Sequence, residues 1–195
     1  MIVSALLGVG LGAATGVPLG VVNLSVVEAA TRAGRAHAIA IGVGGAIADT
    51  IHAGLAFAGI APALEDRPDL LRGLAIASAA IVIAYAVTIL RGRPHRSIKA
   101  RPGRGVILGL ILTLPNPAPL AAWIAVASAL LPHAPVEDGL AAALGVGVGS
   151  AAWFALLAHL AARNSHSALI TRWLPRVVAL VFAAIAIVAI VRSFT

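Results

Sequence analysis

The stretch GVILGLILTLPNPAPLAAWIAVASALL, residues 105–131, decides the fold. It carries no charged side chain and exceeds the roughly 20 apolar residues that cross a bilayer, yet Pro115, Pro117 and Pro119 interrupt its middle. An interior proline removes a backbone donor and clashes with the preceding turn, so a helix here must kink or unwind. In hydrocarbon the freed carbonyls need partners, and such a break persists where it faces protein or a watery cavity.

Five further apolar runs flank this one, at 2–27, 37–61, 71–90, 136–161 and 174–194, separated by charged or proline-containing segments. Hydrophobic residues fill 61% of the 195 positions and charged ones 11%, with a mean hydropathy of +1.02. A water-soluble fold of this size cannot hide that much apolar surface. The composition implies an all-α integral membrane protein: one membrane domain over 1–195, six transmembrane helices, and no soluble domain left over. The first run is too long for a signal-peptide core and ends in no small-residue cleavage site, so it is expected to stay as a span. The absence of cysteine excludes disulfides, thiolate metal sites and dithiol electron carriage. The net charge of +7 does not point to nucleic acid, because the cations sit between the apolar runs with few aromatics beside them.

Those cations report topology instead. Arg32 and Arg35, then Arg91, Arg93, Arg96, Lys99, Arg101 and Arg104, then Arg163, Arg172 and Arg176 occupy alternate connections and make up 11 of the 14. The other connections carry Glu65, Asp66 and Asp69 with Arg67 and Arg72, and Glu137 with Asp138. The positive-inside rule places the first set in the cytoplasm. The expected protein is multi-pass in the plasma (inner) membrane with both termini outside.

Three spans per half require the halves to run in opposite senses, as inverted repeats do. The expected division is a first three-helix repeat over 1–91, a basic cytoplasmic linker over 92–103 and a second three-helix repeat over 104–195. Gly42-Val43-Gly44-Gly45 in the second run matches Gly145-Val146-Gly147-Val148-Gly149-Ser150 in the fifth. The first run, like the fourth, is interrupted, by Gly16-Val17-Pro18-Leu19-Gly20 with Asn23 beyond. Helices one and four are therefore expected to be broken. Pro and Gly can simply bend a membrane helix, but a break in each half favours function: half-helices offer amides and a positive dipole end to a carboxylate, and carbonyls to an ammonium. An amino acid carries both groups.

Asp49 is the one acid placed well inside a run, and His52 follows on the same helical face. A carboxylate there must be paired or protonated, which makes Asp49 a candidate proton carrier and His52 its tuning partner; the competing reading is a purely structural pair. The spaced glycines read as helix-packing surfaces, within one chain or between two copies in a homodimer. Trp123 lies deep enough to line a site, whereas Trp153 and Trp173 read as interfacial anchors. Glu28 and Arg32 read as a surface ion pair, and His159 as a solvated residue near a span end.

These motifs resemble the LysE/RhtB-type amino acid exporters, a family of LysE-type translocators, along nearly the whole chain. Pro18-Leu19-Gly20-Val21-Val22-Asn23 looks like the family's first-span motif, followed by a basic turn at Arg32, Gly34 and Arg35 and a helix bearing Asp49. Asn116-Pro117 resembles the family's Asn-Pro motif, with Trp123 six residues after the proline. Val21 replaces a second proline common in that first motif. Ala122 stands where exporters of basic amino acids carry an acid, and Ala118 where many neutral-substrate members carry a cation. The resemblance implies secondary export of a small amino acid or derivative, neutral in preference, by proton antiport. No cofactor is implied; the partners are the amino acid, protons and the lipid bilayer, and no nucleic acid.

The substrate is expected near the midplane between spans one, two and four. Its binding residues would be Pro18, Gly20, Asn23, Asp49, His52, Asn116, Pro117 and Trp123, with Asp49 and His52 coupling protons. Two rival readings are open. A divalent cation or inorganic ion exporter has too few Cys, Met and His ligands to be favoured. An intramembrane enzyme would need a nucleophile, H-E-x-x-H or paired-carboxylate motif that the sequence lacks.

Overall fold

The computed structural model describes residues 1–16, 20–58, 67–90, 102–131 and 134–163, with isolated positions between 173 and 191. Pro18 and its neighbours Val17 and Leu19, Glu65 and Asp66, the basic residues between 91 and 101, Arg172 and most of the sixth apolar run lie outside the described residues. Among the described residues there are seven helices and no strand: α1 (Ile2–Gly16), α2 (Val21–Arg32), α3 (Arg35–Phe57), α4 (Pro68–Leu90), α5 (Pro102–Thr113), α6 (Pro117–Leu130) and α7 (Val136–Arg163).

The expected break in the fourth run is there. α5 ends at Thr113, α6 starts at Pro117, and the two are bent by 72°. The first run is likewise divided, into α1 and α2, but α2 continues past 27 to Arg32. Arg32 is thus the last turn of a helix, and the connection to α3 shrinks to Ala33 and Gly34. Gly34 has φ 95°, a left-handed conformation in which a Cβ is strained, so the reversal depends on glycine at that position. α3 and α7 are each long and apolar enough to cross a membrane, and α5 with α6 makes a third if counted as one bent span.

α3 and α7 form the centre and run antiparallel: Gly42 meets Phe154, Gly147 meets Thr50, and Gly139 meets Phe57. α1 lies parallel to α7, with Gly8 against the Ala142 carbonyl, Gly12 against that of Val146, and Gly145 and Gly149 against those of Ala5 and Val9. α5 lies parallel to α3 in the same manner, Gly109 against the Ile41 carbonyl and Gly44 against that of Val106. α1 therefore packs on α7, and α5 on α3. A side chain at Gly8, Gly12, Gly44, Gly109, Gly145 or Gly149 would strike a backbone carbonyl, so these glycines are what lets the helices approach so closely. They are spent on contacts within the chain.

The outer surface is apolar. Leu140, Leu144 and Val148 form an exposed stripe on α7, Val43, Ile47 and Ile51 one on α3, and Ile2, Val3 and Leu6 lie exposed on α1. Inside are alanines and several polar groups, among them Asn23, Ser25, Glu28, His37, His52, Thr113 and Ser150. This inversion of the soluble pattern suits a bundle solvated by lipid. Ser25 and Thr113 are satisfied locally, each hydroxyl donating to the carbonyl four residues back, at 2.7 Å to Val21 and 2.9 Å to Gly109. The helix directions gather Arg32, Arg35, Arg104 and Arg163 at one end and leave Glu137 and Asp138 at the other. Arg35 donates to His159 Nδ1 at 3.2 Å across the basic end, joining α3 to α7.

Candidate functional site in the bundle interior

The site is built around α3. Asp49 and His52 stand one turn apart there, about 4.5 Å along the axis, but they engage different neighbours. The Asp49 carboxyl, half-buried, is hydrogen-bonded to the Ser150 side chain of α7. The Ser150 hydroxyl also lies 3.3 Å from the Gly12 carbonyl of α1, so one hydroxyl joins three helices around the acid. His52, 3% exposed, donates from Nε2 to the Leu114 carbonyl at 3.2 Å. Leu114 follows the last residue of α5, at the break that the prolines create.

The other side of that break is closed by Asn116. Its Oδ1 accepts the Ala118 N–H at 3.0 Å and so caps α6. Pro117 and Pro119 have no N–H, so the first turn of α6 has few amides left to offer a ligand. α2 differs. Its N-cap is Gly20, which makes no side-chain cap hydrogen bond. Asn23 is buried one turn into α2, its Oδ1 accepting from Trp153 Nε1 of α7 at 3.0 Å. Trp123 of α6 is buried against Phe57, the rings meeting edge to face at 6.0 Å between centroids, within a cluster that includes Ala53, Ala56, Ala142 and Val146.

Of the residues expected from sequence, Asp49, His52, Asn23, Asn116, Pro117 and Trp123 are thus brought to the contacts among α2, α3, α5, α6 and α7. Gly20 stands at the entrance to α2, and Pro18 lies outside the described residues. Sequence reasoning passed over three others. Ser150 was read only as part of a glycine-rich packing segment, and Trp153 as an interfacial anchor, although it reaches inward to Asn23. Trp173 does fit the anchor reading, 51% exposed with the Arg176 guanidinium 5.3 Å from its ring centroid.

Glu28 is the third, and it corrects an expectation. It pairs with Arg32 at 3.5 Å as expected, but its side chain is 7% exposed against 35% for Arg32, so the pair is not on the surface. An i,i+4 acid–base spacing looks the same in sequence on either face of a helix. The burial gives an asymmetric expectation. Arg32→Ala strips a buried carboxylate of this cation and should cost about 1–3 kcal/mol, whereas Glu28→Gln sheds the charge in place and should cost less than about 1 kcal/mol. Thermal unfolding in detergent measures both, and a larger loss for Glu28→Gln would contradict the burial argument.

No curated protein and no solved structure matches the chain. The LysE type translocator family matches it over residues 13–193. The chain belongs to the LysE-type translocator family. LysE-type translocators are membrane exporters, often of amino acids, and form a transporter family rather than an enzyme family. Membership agrees with the apolar exterior and with a polar interior carried by α2, α3 and the α5–α6 break. Along the axis of this translocator, from its basic end, the buried groups follow in the order Glu28, Asn23 with Trp153, Asp49 with Ser150, His52 with Leu114, and Trp123 with Phe57.

Proposed function

We propose that this LysE-type translocator exports a small amino acid or derivative, neutral in preference, from the cytoplasm by exchange for protons. The carrying observation is the placement of one acid, Asp49, inside the bundle against Ser150, one turn from a His52 that holds the carbonyl freed at a helix break. A carboxylate among alanines and glycines is an expense that a purely structural bundle has no use for, whereas a group that alternately carries a proton and releases it is what an antiporter requires. In this reading the chain crosses the plasma membrane six times, as two inverted three-helix repeats with the basic connections inside and both termini outside.

The substrate occupies the space among α2, α3, α5 and α6. Its carboxylate faces the uncapped N-terminus of α2 after Pro18 and Gly20, supported by the helix dipole. Its ammonium lies toward Asp49 and His52, and its side chain toward Trp123. Asn23 and Asn116, beside Pro117, supply neutral polar contacts. Apolar Trp123 and the absence of a second acid beside Asp49 on α3 favour a neutral substrate over a basic one.

The test is reconstitution of purified protein into liposomes with labelled neutral and basic amino acids trapped or added, with and without an imposed pH gradient. Proton-dependent movement of a neutral amino acid supports the reading. If folded protein moves none of them, the reading fails and divalent cations become the next panel. That alternative is disfavoured by the donors present: among the described residues no three His, Asp or Glu side chains gather at one point.

A further inference from the structure

In an unbroken helix the Leu114 carbonyl would accept the N–H of residue 118. Here that N–H goes to Asn116 Oδ1 at 3.0 Å, and Pro115 and Pro117 have none to give. The carbonyl takes the His52 imidazole instead, 3.2 Å from Nε2. A carbonyl oxygen only accepts, so Nε2 carries the hydrogen, and in the neutral ring Nδ1 is left with a bare lone pair. That Nδ1 is enclosed and has no hydrogen-bond partner among the described residues, in a residue 3% exposed. Buried acceptors are nearly always satisfied, and one left open beside a proposed binding site points to a donor that comes and goes.

We infer that the broken fourth span fixes the tautomer of His52, and that its Nδ1 is the acceptor for an N–H of the transported molecule's ammonium group. The substrate class follows: a zwitterion with at least one N–H on its nitrogen, so that a quaternary nitrogen of the same charge is rejected for want of a donor. The division of labour is chemical. A neutral imidazole lone pair reads the N–H, and the carboxyl of Asp49, one turn away, is left for the proton. The identity of the occupant rests on the exporter reading above; the tautomer does not.

Two measurements test this separately. In lipid at about pH 8, where an ordinary imidazole is neutral, the ring nitrogens of ¹⁵N-histidine-labelled protein are observed by NMR, with His52 identified by its loss in His52→Gln. Nε2 is expected protonated and Nδ1 bare, and replacing Pro115, Pro117 and Pro119 together by alanine, which lets the helix continue and returns the Ala118 N–H to the Leu114 carbonyl, is expected to mix the tautomers. A protonated Nδ1 in the wild type would overturn the inference, and an unchanged tautomer in the folded triple proline variant would overturn the role of the break.

The second measurement is competition in proteoliposome counterflow, with L-alanine, L-serine, L-threonine and L-leucine set against their N-trimethyl derivatives. Wild type is expected to favour the free amines by about ten-fold or more. His52→Gln, whose amide can still donate to Leu114 but presents nothing at the δ position, is expected to reduce that preference below about three-fold. An undiminished preference would overturn the assignment of Nδ1. A wild type that moves no amino acid while His52 holds the expected tautomer would overturn the exporter reading and the ammonium occupant with it, leaving the tautomer standing.

Discussion

Asp49→Asn is expected to abolish accumulation driven by a pH gradient while leaving exchange of substrate for substrate in place. The reason lies in the hydrogens available to Ser150. A hydroxyl has one hydrogen to donate. If Asp49 is ionised, that hydrogen turns to the carboxylate; if Asp49 is protonated, the acid donates to Ser150 and the hydroxyl is released to the Gly12 carbonyl of α1, 3.3 Å away. Loading the proton thus tightens the junction of α1, α3 and α7, and unloading it loosens that junction. Asparagine donates through its amide like the protonated acid and cannot change state, so the variant should fold and bind yet be unable to complete a proton cycle.

The magnitude follows from the driving force. Each pH unit is worth about 1.4 kcal/mol per proton, so a two-unit gradient supports about 100-fold accumulation in a one-for-one antiporter. In Asp49→Asn the ratio should fall to about one. Flux measurements in the same liposome preparation, with and without the gradient, give both quantities. Accumulation that survives the substitution would remove Asp49 as the proton carrier.

The second large effect is structural. Gly12→Ala is expected to destabilise the bundle severely, and Gly10→Ala, two residues away on the same helix, to leave it unchanged or firmer. A Cβ on Gly12 would collide with the Val146 carbonyl, and neither backbone can yield without separating α1 from α7. A Cβ on Gly10 meets nothing within 4 Å. Overpacking of this kind costs about 1–3 kcal/mol or more, whereas Gly→Ala in open space on a helix gains about 0.5–1 kcal/mol. Melting temperatures of the two variants in detergent provide the comparison. Equal behaviour would mean that α1 does not seat on α7 through this face.

Much of this architecture is written in local chemistry, and local chemistry is what a sequence displays. The prolines at 115, 117 and 119 dictate the break between α5 and α6, because a missing donor acts on its own helix. The glycine series in α3 and α7 announces close packing for the same reason. Sequence does not disclose which partner a group finds across the bundle. Spacing marks Asn116 as a substrate contact but gives no sign that its oxygen also caps α6 through the Ala118 amide, between two flanking prolines. His52 was paired with Asp49 by helical spacing, yet its ring reaches the end of α5. Trp153 and Glu28 point inward where spacing alone allows either direction. The exchange by which α1 seats on α7 and α5 on α3 depends on the shapes of four glycine-lined faces taken together, which no single segment shows.

That exchange has a consequence for how the chain is made. The contact from Ser150 to Gly12 spans 138 residues, so α1 waits in the membrane, its glycine face unfilled, until α7 has been synthesised. α5 needs α3 far sooner, and finds it already inserted. Assembly should therefore be nucleated by α3 with α5, and α1 should be seated only when α7 arrives, a high-contact-order step that leaves the unfinished chain exposed to degradation.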